Sequence, residues 1–295
     1  MGTMEKFIVS ASRRTDIPAF YMPWFMAGIK QGVFEVVNPY NRKKSKVPAG
    51  VERVHSIVFW SKNFGPFIKN GYGEALTLKG YNLFFNFTVN SADSLLEPQV
   101  PGLQERLEQM AVLCGRFGPK AVTWRFDPLC FYVSGHSGEL NNLKDFERIA
   151  DTAGRLGIQR CVTSFMDDYA KIRKRVAAIP GFRFVDPPLE EKVSVCIEME
   201  KILAPKRISL QTCCEKEVLK AMPPGSGIKR GSCIPADLLM ELFGGQVSLK
   251  KDSGQRIAAG CGCHLSRDIG SYALHPCYHN CLFCYANPQT RSKQR

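Results

Sequence analysis

Three cysteines are spaced so that they could share one metal centre. Cys277, Cys281 and Cys284 form a C-x3-C-x2-C pattern. Three thiolates at this spacing can hold three corners of a cubic four-iron cluster. The fourth iron stays open, because the Tyr-Ala-Asn-Pro run that follows lacks the nearby cysteine of bacterial ferredoxins. A zinc site completed by His275, His279 or a distant cysteine is the alternative. The spacing favours the cluster.

A second group of cysteines precedes the first. Cys213, Cys233, Cys261 and Cys263 could supply four thiolates to one centre, and neighbouring glycines allow the tight backbone that this requires. A second [4Fe–4S] cluster and a structural zinc both fit such a set. The cluster is favoured, since the chain already implies iron–sulfur assembly, and metal-free reduced thiols remain the plain alternative. Cys214 is the spare thiol, because Cys213 comes directly after a predicted strand.

Cysteine usage and composition limit the class of protein. Eight of the 12 cysteines fall between Cys213 and Cys284, and a reducing compartment would keep them as thiols available to metals. The other four, Cys114, Cys130, Cys161 and Cys196, suit core packing, Cys130 with the least support. A hydrophobic fraction of 44% excludes whole-chain disorder. Without an apolar run of membrane-spanning length or a secretory signal, we expect a soluble, cytoplasmic protein that does not bind membranes.

The net charge of +13 favours an anionic partner without naming one. Three basic runs contribute to it, and we expect them to be solvated faces or a loose tail, with nucleic-acid contact as the alternative. They are Arg42-Lys43-Lys44-Lys46, Lys171-Arg173-Lys174-Arg175 and Arg291-Lys293-Arg295.

Strands and helices alternate through the first two-thirds of the chain. Predicted strands are 7–11, 34–38, 56–60, 82–89, 121–126, 161–166 and 207–212. Predicted helices are 18–31, 64–78, 101–117, 139–156, 168–178 and 187–203, with another near 235–244. The polar link 38–55 suits a hairpin or loop. Such alternation predicts an α/β fold with a TIM-type parallel barrel, full or partial.

At the C-x3-C-x2-C motif the sequence resembles the radical S-adenosylmethionine (SAM) superfamily, which shares this spacing and an aromatic residue before the third cysteine, here Phe283. The resemblance implies that SAM binds the open iron, with Phe283 at the cofactor. One electron from the cluster then cleaves SAM to methionine and a 5′-deoxyadenosyl radical, which removes a hydrogen from a substrate. It also implies a reductant such as flavodoxin or ferredoxin.

Nearly the whole chain is similar to the bacterial family DUF1848. The matching blocks are SASRRTDIPAFY (10–21), NPYN (38–41), IVFWSKN (57–63), WRFDP (124–128), the segment from Cys213 to Cys263, and DIGSY…CYHNCLFCYAN (268–287). Radical SAM motifs usually follow the first barrel strand, whereas this one comes late in the sequence. The resemblance therefore implies a circularly permuted core, with 271–276 as the usual first strand. We expect a barrel over 1–212, an auxiliary metal-binding segment over 213–270, and a final strand and cluster loop over 271–295.

Polar residues at the carboxyl ends of the predicted strands form a third group, because loops after parallel strands converge on one face. Arg13 or Arg14 could hold the SAM carboxylate or a substrate phosphate, and Asp16 or Asp127 could accept from ribose hydroxyls or the SAM amine. Bracing of the loop by Arg13, Arg14 and Asp16, and an internal Arg125–Asp127 pair, are the structural alternatives. We place Arg13, Arg14, Asp16, Arg125 and Asp127 at the catalytic face and Lys62, Asn63 and Gln211 at a bound cofactor. Further residues of this face are Ser12, Asn38, Asn41, Thr88, Asn90, Asp167 and Asp168.

Three functions therefore stay open from sequence. The first is a radical SAM enzyme with an auxiliary cluster, acting on a small-molecule or nucleic-acid substrate. The second is a metal-ordered nucleic-acid-binding or repair protein, since the cluster segment resembles that of spore photoproduct lyase. The third is an iron–sulfur electron carrier or redox sensor. The open iron favours the first, because a carrier gains nothing from a missing ligand.

Overall fold

The computed structural model describes residues 5–11, 13–38, 43–136 and 138–286. Ser12, Asn41, Arg42 and the basic run at 291–295 lie outside them. The strands are β1 Phe7–Ala11, β2 Val33–Val37, β3 Lys44–Pro48, β4 Val54–Ser61, β5 Asn82–Thr88, β6 Val122–Leu129, β7 Phe131–Val133, β8 Leu140–Asn141, β9 Arg160–Phe165, β10 Arg183–Val185, β11 Ser209–Thr212, β12 Lys229–Arg230 and β13 Arg267–Asp268. The helices are α1 Ile17–Phe20, α2 Met22–Gln31, α3 Gly65–Lys69, α4 Tyr72–Leu78, α5 Leu103–Phe117, α6 Phe146–Arg155, α7 Ala170–Val176, α8 Leu189–Leu203, α9 Lys216–Ala221 and α10 Ala236–Phe243.

Eight strands form one parallel sheet in the order β12-β11-β9-β6-β5-β4-β1-β13. The α/β class and six of the predicted strands are thereby confirmed. The strand predicted at 34–38 is β2, but it was wrongly given a place in the main sheet. It pairs antiparallel with β3 in a separate ribbon, which is the hairpin expected in the polar link.

A small antiparallel sheet of β10, β7 and β8 was not predicted. It shortens the helix expected over 139–156, which begins only at Phe146. The cause is Asn142, whose side chain accepts from the Cys130 N–H and donates to the Pro128 carbonyl, and so holds the preceding residues against β7. The buried side chains of α6 are Phe146, Ile149, Ala150 and Ala153.

The two faces of the main sheet are covered differently. One face packs under helices, and residues of α2, α5, α6 and α8 share a continuous core with β1, β4, β5, β6 and β9. Cys114, Cys161 and Cys196 are buried there, as expected. The opposite face packs against α10 and the second cysteine set through one side chain each from four strands, namely Ile8, Val58, Phe84 and Val162.

A closed barrel does not form among the described strands. The end strands β12 and β13 have two residues each and are not paired with each other. The face that would become a barrel interior is already filled by α10, whose Leu239 is fully buried, and by the cysteines beside it. The parallel sheet therefore stays open, and the full TIM-type form of the prediction is wrong.

The last strand of the sheet is not at the predicted position in the sequence. Residues 271–276 form turns, and β1 instead pairs on the side away from β4 with β13, through Val9 with Arg267 and Ser10 with Asp268. The sequence Arg267–Asp268 carries no β-rich pattern, so the pairing with β1 decides its conformation. The C-x3-C-x2-C segment still follows a strand beside β1.

No helix among the described residues is long and apolar enough to cross a membrane.

Leu239→Ala tests whether α10 covers the sheet. Because Leu239 is fully buried, we expect the free energy of unfolding to fall by about 2–5 kcal/mol. The matched control is Leu249→Ala, since Leu249 is 56% exposed, and its effect should stay within about 0.5 kcal/mol. Urea unfolding under reducing, anaerobic conditions measures both. Equal effects would mean that α10 is not part of the core.

Candidate functional site

The segment that carries Cys277, Cys281 and Cys284, here called the cysteine loop (residues 277–284), packs against the carboxyl end of the sheet. Two backbone hydrogen bonds join it to the segment after β5, from Leu282 N to Leu96 O at 2.9 Å and from Gln99 N to His279 O at 3.2 Å. The Tyr21 hydroxyl donates to the Pro276 carbonyl at 2.6 Å, just before the loop. The loop is thus docked on elements that are distant in sequence.

Asp16 holds the centre of this docking. Its buried carboxylate accepts from Ala19 N at 3.0 Å, from Ser61 Oγ at 2.7 Å and from Lys62 N at 2.9 Å. His279 Nε2, between the first two cysteines of the loop, lies 2.8 Å from the same carboxylate. Asp16 therefore lies beside the cysteine loop, as the sequence predicted. Its partners are protein groups, which gives it a positioning role, and a direct contact with SAM stays a prediction.

His279 has an oxygen atom at each ring nitrogen. Nε2 faces Asp16, and Nδ1 lies 3.3 Å from the Gln99 carbonyl oxygen. A ring engaged on both sides is not available as a metal ligand in this arrangement. The other candidate, His275, packs its ring against Tyr21 and Trp24, and its Nδ1 is buried without a hydrogen-bond partner. His279 thus gives the zinc alternative little support, whereas His275 keeps a ring nitrogen without a partner.

Arg175 of α7 binds the backbone of the cysteine loop. Its Nη1 lies 3.1 Å from the Cys281 carbonyl oxygen and 2.8 Å from those of Leu282 and Cys284. The expectation that the basic run at 171–175 is only a solvated face is therefore wrong for Arg175. Its neighbour Arg173 does point outward, where it pairs with Asp168. Only the inward position on the helix distinguishes the two arginines.

Lys62 lies under the cysteine loop. Its Nζ is 2.5 Å from Glu97 Oε1 and 5.1 Å from the centre of the Phe283 ring. The structure thus brings together two residues that the sequence assigned to a bound cofactor, Lys62 and Phe283. Asn63, assigned with them, accepts instead from Gly65 N and the Gln109 side chain, which is a local structural role.

The three thiols of the loop are in a poor environment for thiolates without added positive charge. Burial raises the pKa of Cys277 to about 12, and it raises the pKa of Cys281 and Cys284 above their usual values. The positive charge of Lys62 opposes this shift at all three cysteines, and Arg175 does so at Cys284. A metal that binds here must compensate the same burial.

The second cysteine set closes into a ring of thiols. Cys213 interacts with Cys233 and Cys261, and Cys263 interacts with the same two. Interaction with neighbouring thiols raises the pKa of Cys213, where Cys214 contributes most, and of Cys263, and it lowers the pKa of Cys233 and Cys261. The four cysteines that the sequence grouped are therefore together. Cys214 lies at the side of the ring, its sulfur 3.8 Å from that of Cys213.

The backbone around this ring depends on glycine. A Cβ atom at position 262 would lie 2.5 Å from the carbonyl oxygen of Gly231, which no other residue can accommodate. Gly260 has a φ of 97°, in the left-handed region. Both glycines flank Cys261, so they allow Cys261 and Cys263 to reach Cys213 and Cys233.

Arg125 lies against the second set. Its Nη1 is 2.7 Å from the sulfur of Cys233 and its Nη2 is 2.6 Å from Asp127. Asp127 also accepts from Ser164 Oγ at 2.5 Å. The internal Arg125–Asp127 pair that sequence considered is present, while the contact with Cys233, 108 residues away, had no sequence signal. Gln211, assigned to a cofactor, lies in β11 two residues before Cys213.

The guanidinium groups of Arg13 and Arg14 bind acidic and backbone groups near β13, and their contact with SAM or substrate stays a prediction. Arg13 Nη1 bonds Asp252 at 3.0 Å, and its charge acts on Cys233 and Cys263 of the second set. Arg14 donates to the Gly270 carbonyl at 3.4 Å. Both arginines also face Asp268 of β13, at 3.7 Å and 4.0 Å. The acidic partners of the two arginines are thus Asp252 and Asp268, and not Asp16. The Arg13 carbonyl accepts from the hydroxyl of Tyr285, the residue directly after the cysteine loop, at 3.4 Å.

Among the described residues, no three His, Cys, Asp or Glu side chains surround a position for a single metal ion. The donor sets are nevertheless of the right chemistry for iron–sulfur clusters, in which each cysteine thiolate bonds a different iron. The presence of a metal, and its nature, thus stay predictions at both sets.

The fold and site define an α/β protein with an open parallel sheet and two cysteine sets at its carboxyl end. The chain belongs to the family DUF1848, a domain of unknown function, whose family model matches residues 8–286. The match spans both cysteine sets. Comparison with curated proteins gives no match.

Arg175→Gln should loosen the cysteine loop. Hydrogen bonds from a charged donor contribute about 1.5–3 kcal/mol, so we expect amide exchange over residues 277–284 to rise roughly tenfold or more. Hydrogen–deuterium exchange of the metal-free protein measures this. Arg173→Gln on the same helix is the control and should leave the loop unchanged. Identical exchange in the two variants would contradict the assigned role of Arg175.

Proposed function

We propose that this chain is an iron–sulfur enzyme of radical SAM type, with its SAM-binding [4Fe–4S] cluster on Cys277, Cys281 and Cys284. The observation that carries the proposal is the bond between His279 of the cysteine loop and Asp16 after β1. It fixes a three-cysteine loop at the carboxyl end of a parallel sheet, where open α/β folds bind their ligands.

The residues present fit such a group. Three cysteines supply three thiolates, and both ring nitrogens of His279 are engaged by Asp16 and Gln99, which leaves one iron for SAM. When bound, the cluster and SAM would supply reductive cleavage of SAM and a radical that removes hydrogen from a substrate. The chain's own residues orient the loop, through Asp16 and Arg175. An external reductant of the flavodoxin or ferredoxin kind would provide the electron.

We further propose that Cys213, Cys233, Cys261 and Cys263 hold a second centre, a [4Fe–4S] cluster in preference to zinc. Support comes from the interactions among these four thiols, and from Arg125, whose charge suits a site with four thiolates. Cys213 is the ligand in this proposal because it contacts both Cys233 and Cys261.

Replacing Cys277, Cys281 and Cys284 together with Ala tests the first centre. After anaerobic reconstitution with iron and sulfide, we expect the variant to hold about four irons fewer than the parent chain. With SAM and dithionite it should form no 5′-deoxyadenosine. The matched control is Cys114→Ala with Cys196→Ala, which removes two core thiols outside both sets and should keep iron and activity.

The outcomes separate the candidate functions. Unchanged iron content in the triple variant would end the proposal. Iron bound at the loop without any 5′-deoxyadenosine would favour an electron carrier or sensor instead.

The second centre has its own test. The triple variant should still contain iron, or one zinc, and replacing Cys213, Cys233, Cys261 and Cys263 with Ser should remove it and lower the melting temperature. Cys214→Ser is the control and should retain the metal, because Cys214 lies beside the ring. Elemental analysis and thermal unfolding give both readouts. A folded triple variant without metal would contradict the second centre.

A further inference from the structure

Lys62 is a cation enclosed by the protein at the cysteine loop. Its side chain is 16% exposed, and its Nζ lies between the Glu97 carboxylate and the ring of Phe283. Although burial lowers the pKa of Lys62, the neighbouring Glu97 and Cys281 raise it above its usual value, so the charge is retained. A charge held in this way is screened far less than one on the surface.

Glu97 fixes the position of that charge. Its side chain is 3% exposed, and its Oε1 accepts from Lys62 at 2.5 Å and from Asn90 at 3.0 Å. Its Oε2 faces Arg106 of α5 at 3.6 Å, beyond hydrogen-bond distance. One buried carboxylate is thus shared by two buried cations, Lys62 and Arg106.

The loop is the group that this charge faces. Phe283, whose ring Lys62 contacts, lies between Cys281 and Cys284, and the charge of Lys62 acts on all three cysteines. Arg175 differs, because it binds the carbonyl groups of the loop from α7. The positive charge of Lys62 therefore lies close to any group that the three thiolates bind.

Resting on the proposed function, we infer that Lys62, held by Glu97, is a positioning residue that sets the reduction potential of the cluster on Cys277, Cys281 and Cys284. Reduction adds one electron to the cluster and hence one negative charge. A nearby fixed cation stabilises that reduced form, and net charge is among the factors that set iron–sulfur potentials. Lys62 and Glu97 should therefore act with opposite signs.

The test uses the reconstituted full chain titrated with dithionite and followed by electron paramagnetic resonance. The signal of interest is the one that the Cys277/Cys281/Cys284→Ala variant lacks. Lys62→Met should reduce the equilibrium constant for reduction by about tenfold, a midpoint about 59 mV lower for one electron. Glu97→Gln should shift the midpoint upward, and Lys62→Arg should restore the parent value. Lys201→Met and Glu198→Gln, which alter an exposed ion pair on α8, should change nothing.

Opposite shifts with unchanged iron content support the inference. Equal midpoints, or shifts of the same sign in Lys62→Met and Glu97→Gln, would overturn it, since a merely structural pair does not reverse the sign. If Lys62→Met fails to hold iron, Lys62→Arg and Glu97→Gln still decide between these outcomes. Parent protein that binds no iron at the loop would refute the proposed function itself, and the iron analysis distinguishes that failure.

Discussion

The carboxylate of Asp16 is the point on which the arrangement of the first cysteine set depends. It caps α1, ties the turn after β1 to the end of β4 through Ser61, and reaches the cysteine loop through His279. A buried carboxylate needs several donors to offset the loss of hydration, and here the donors come from three parts of the chain, at Ala19, at Ser61 and Lys62, and at His279. Loss of Asp16 would remove the one group that connects all three.

Much of the sheet could be predicted from the sequence, because buried parallel strands are continuous apolar runs with their own β preference. The cysteine sets were equally visible, since ligand spacing is a local property. The strands β12 and β13 were not visible, because two residues carry no period and only their neighbours make them extended. The partners of the polar side chains could not be predicted, for a similar reason. Arg13 pairs with Asp252 across 239 residues, and nothing in one sequence reports such a pair. Arg175 could be distinguished from Arg173 only by noting which face of α7 carries the buried Ile172 and Val176.

The second cysteine set helps to account for the open sheet. An interior lined by strand side chains alone would close a barrel, but α10 and the thiol ring occupy that face. The ring takes Cys213 from the end of β11 and Cys261 and Cys263 from the segment before β13, so it joins the two ends of the sheet where hydrogen bonds between strands do not. A metal bound there would join the two ends of the sheet in place of hydrogen bonds between strands.

The pairing of β13 with β1 bears on how the protein is made. Synthesis delivers Asp16 some 263 residues before His279, so β1 must wait with one edge unpaired while the rest of the sheet assembles. An unpaired strand edge is a template for association with other chains. Docking of the cysteine loop on Asp16 can likewise begin only after His279 has been synthesised, long after β1.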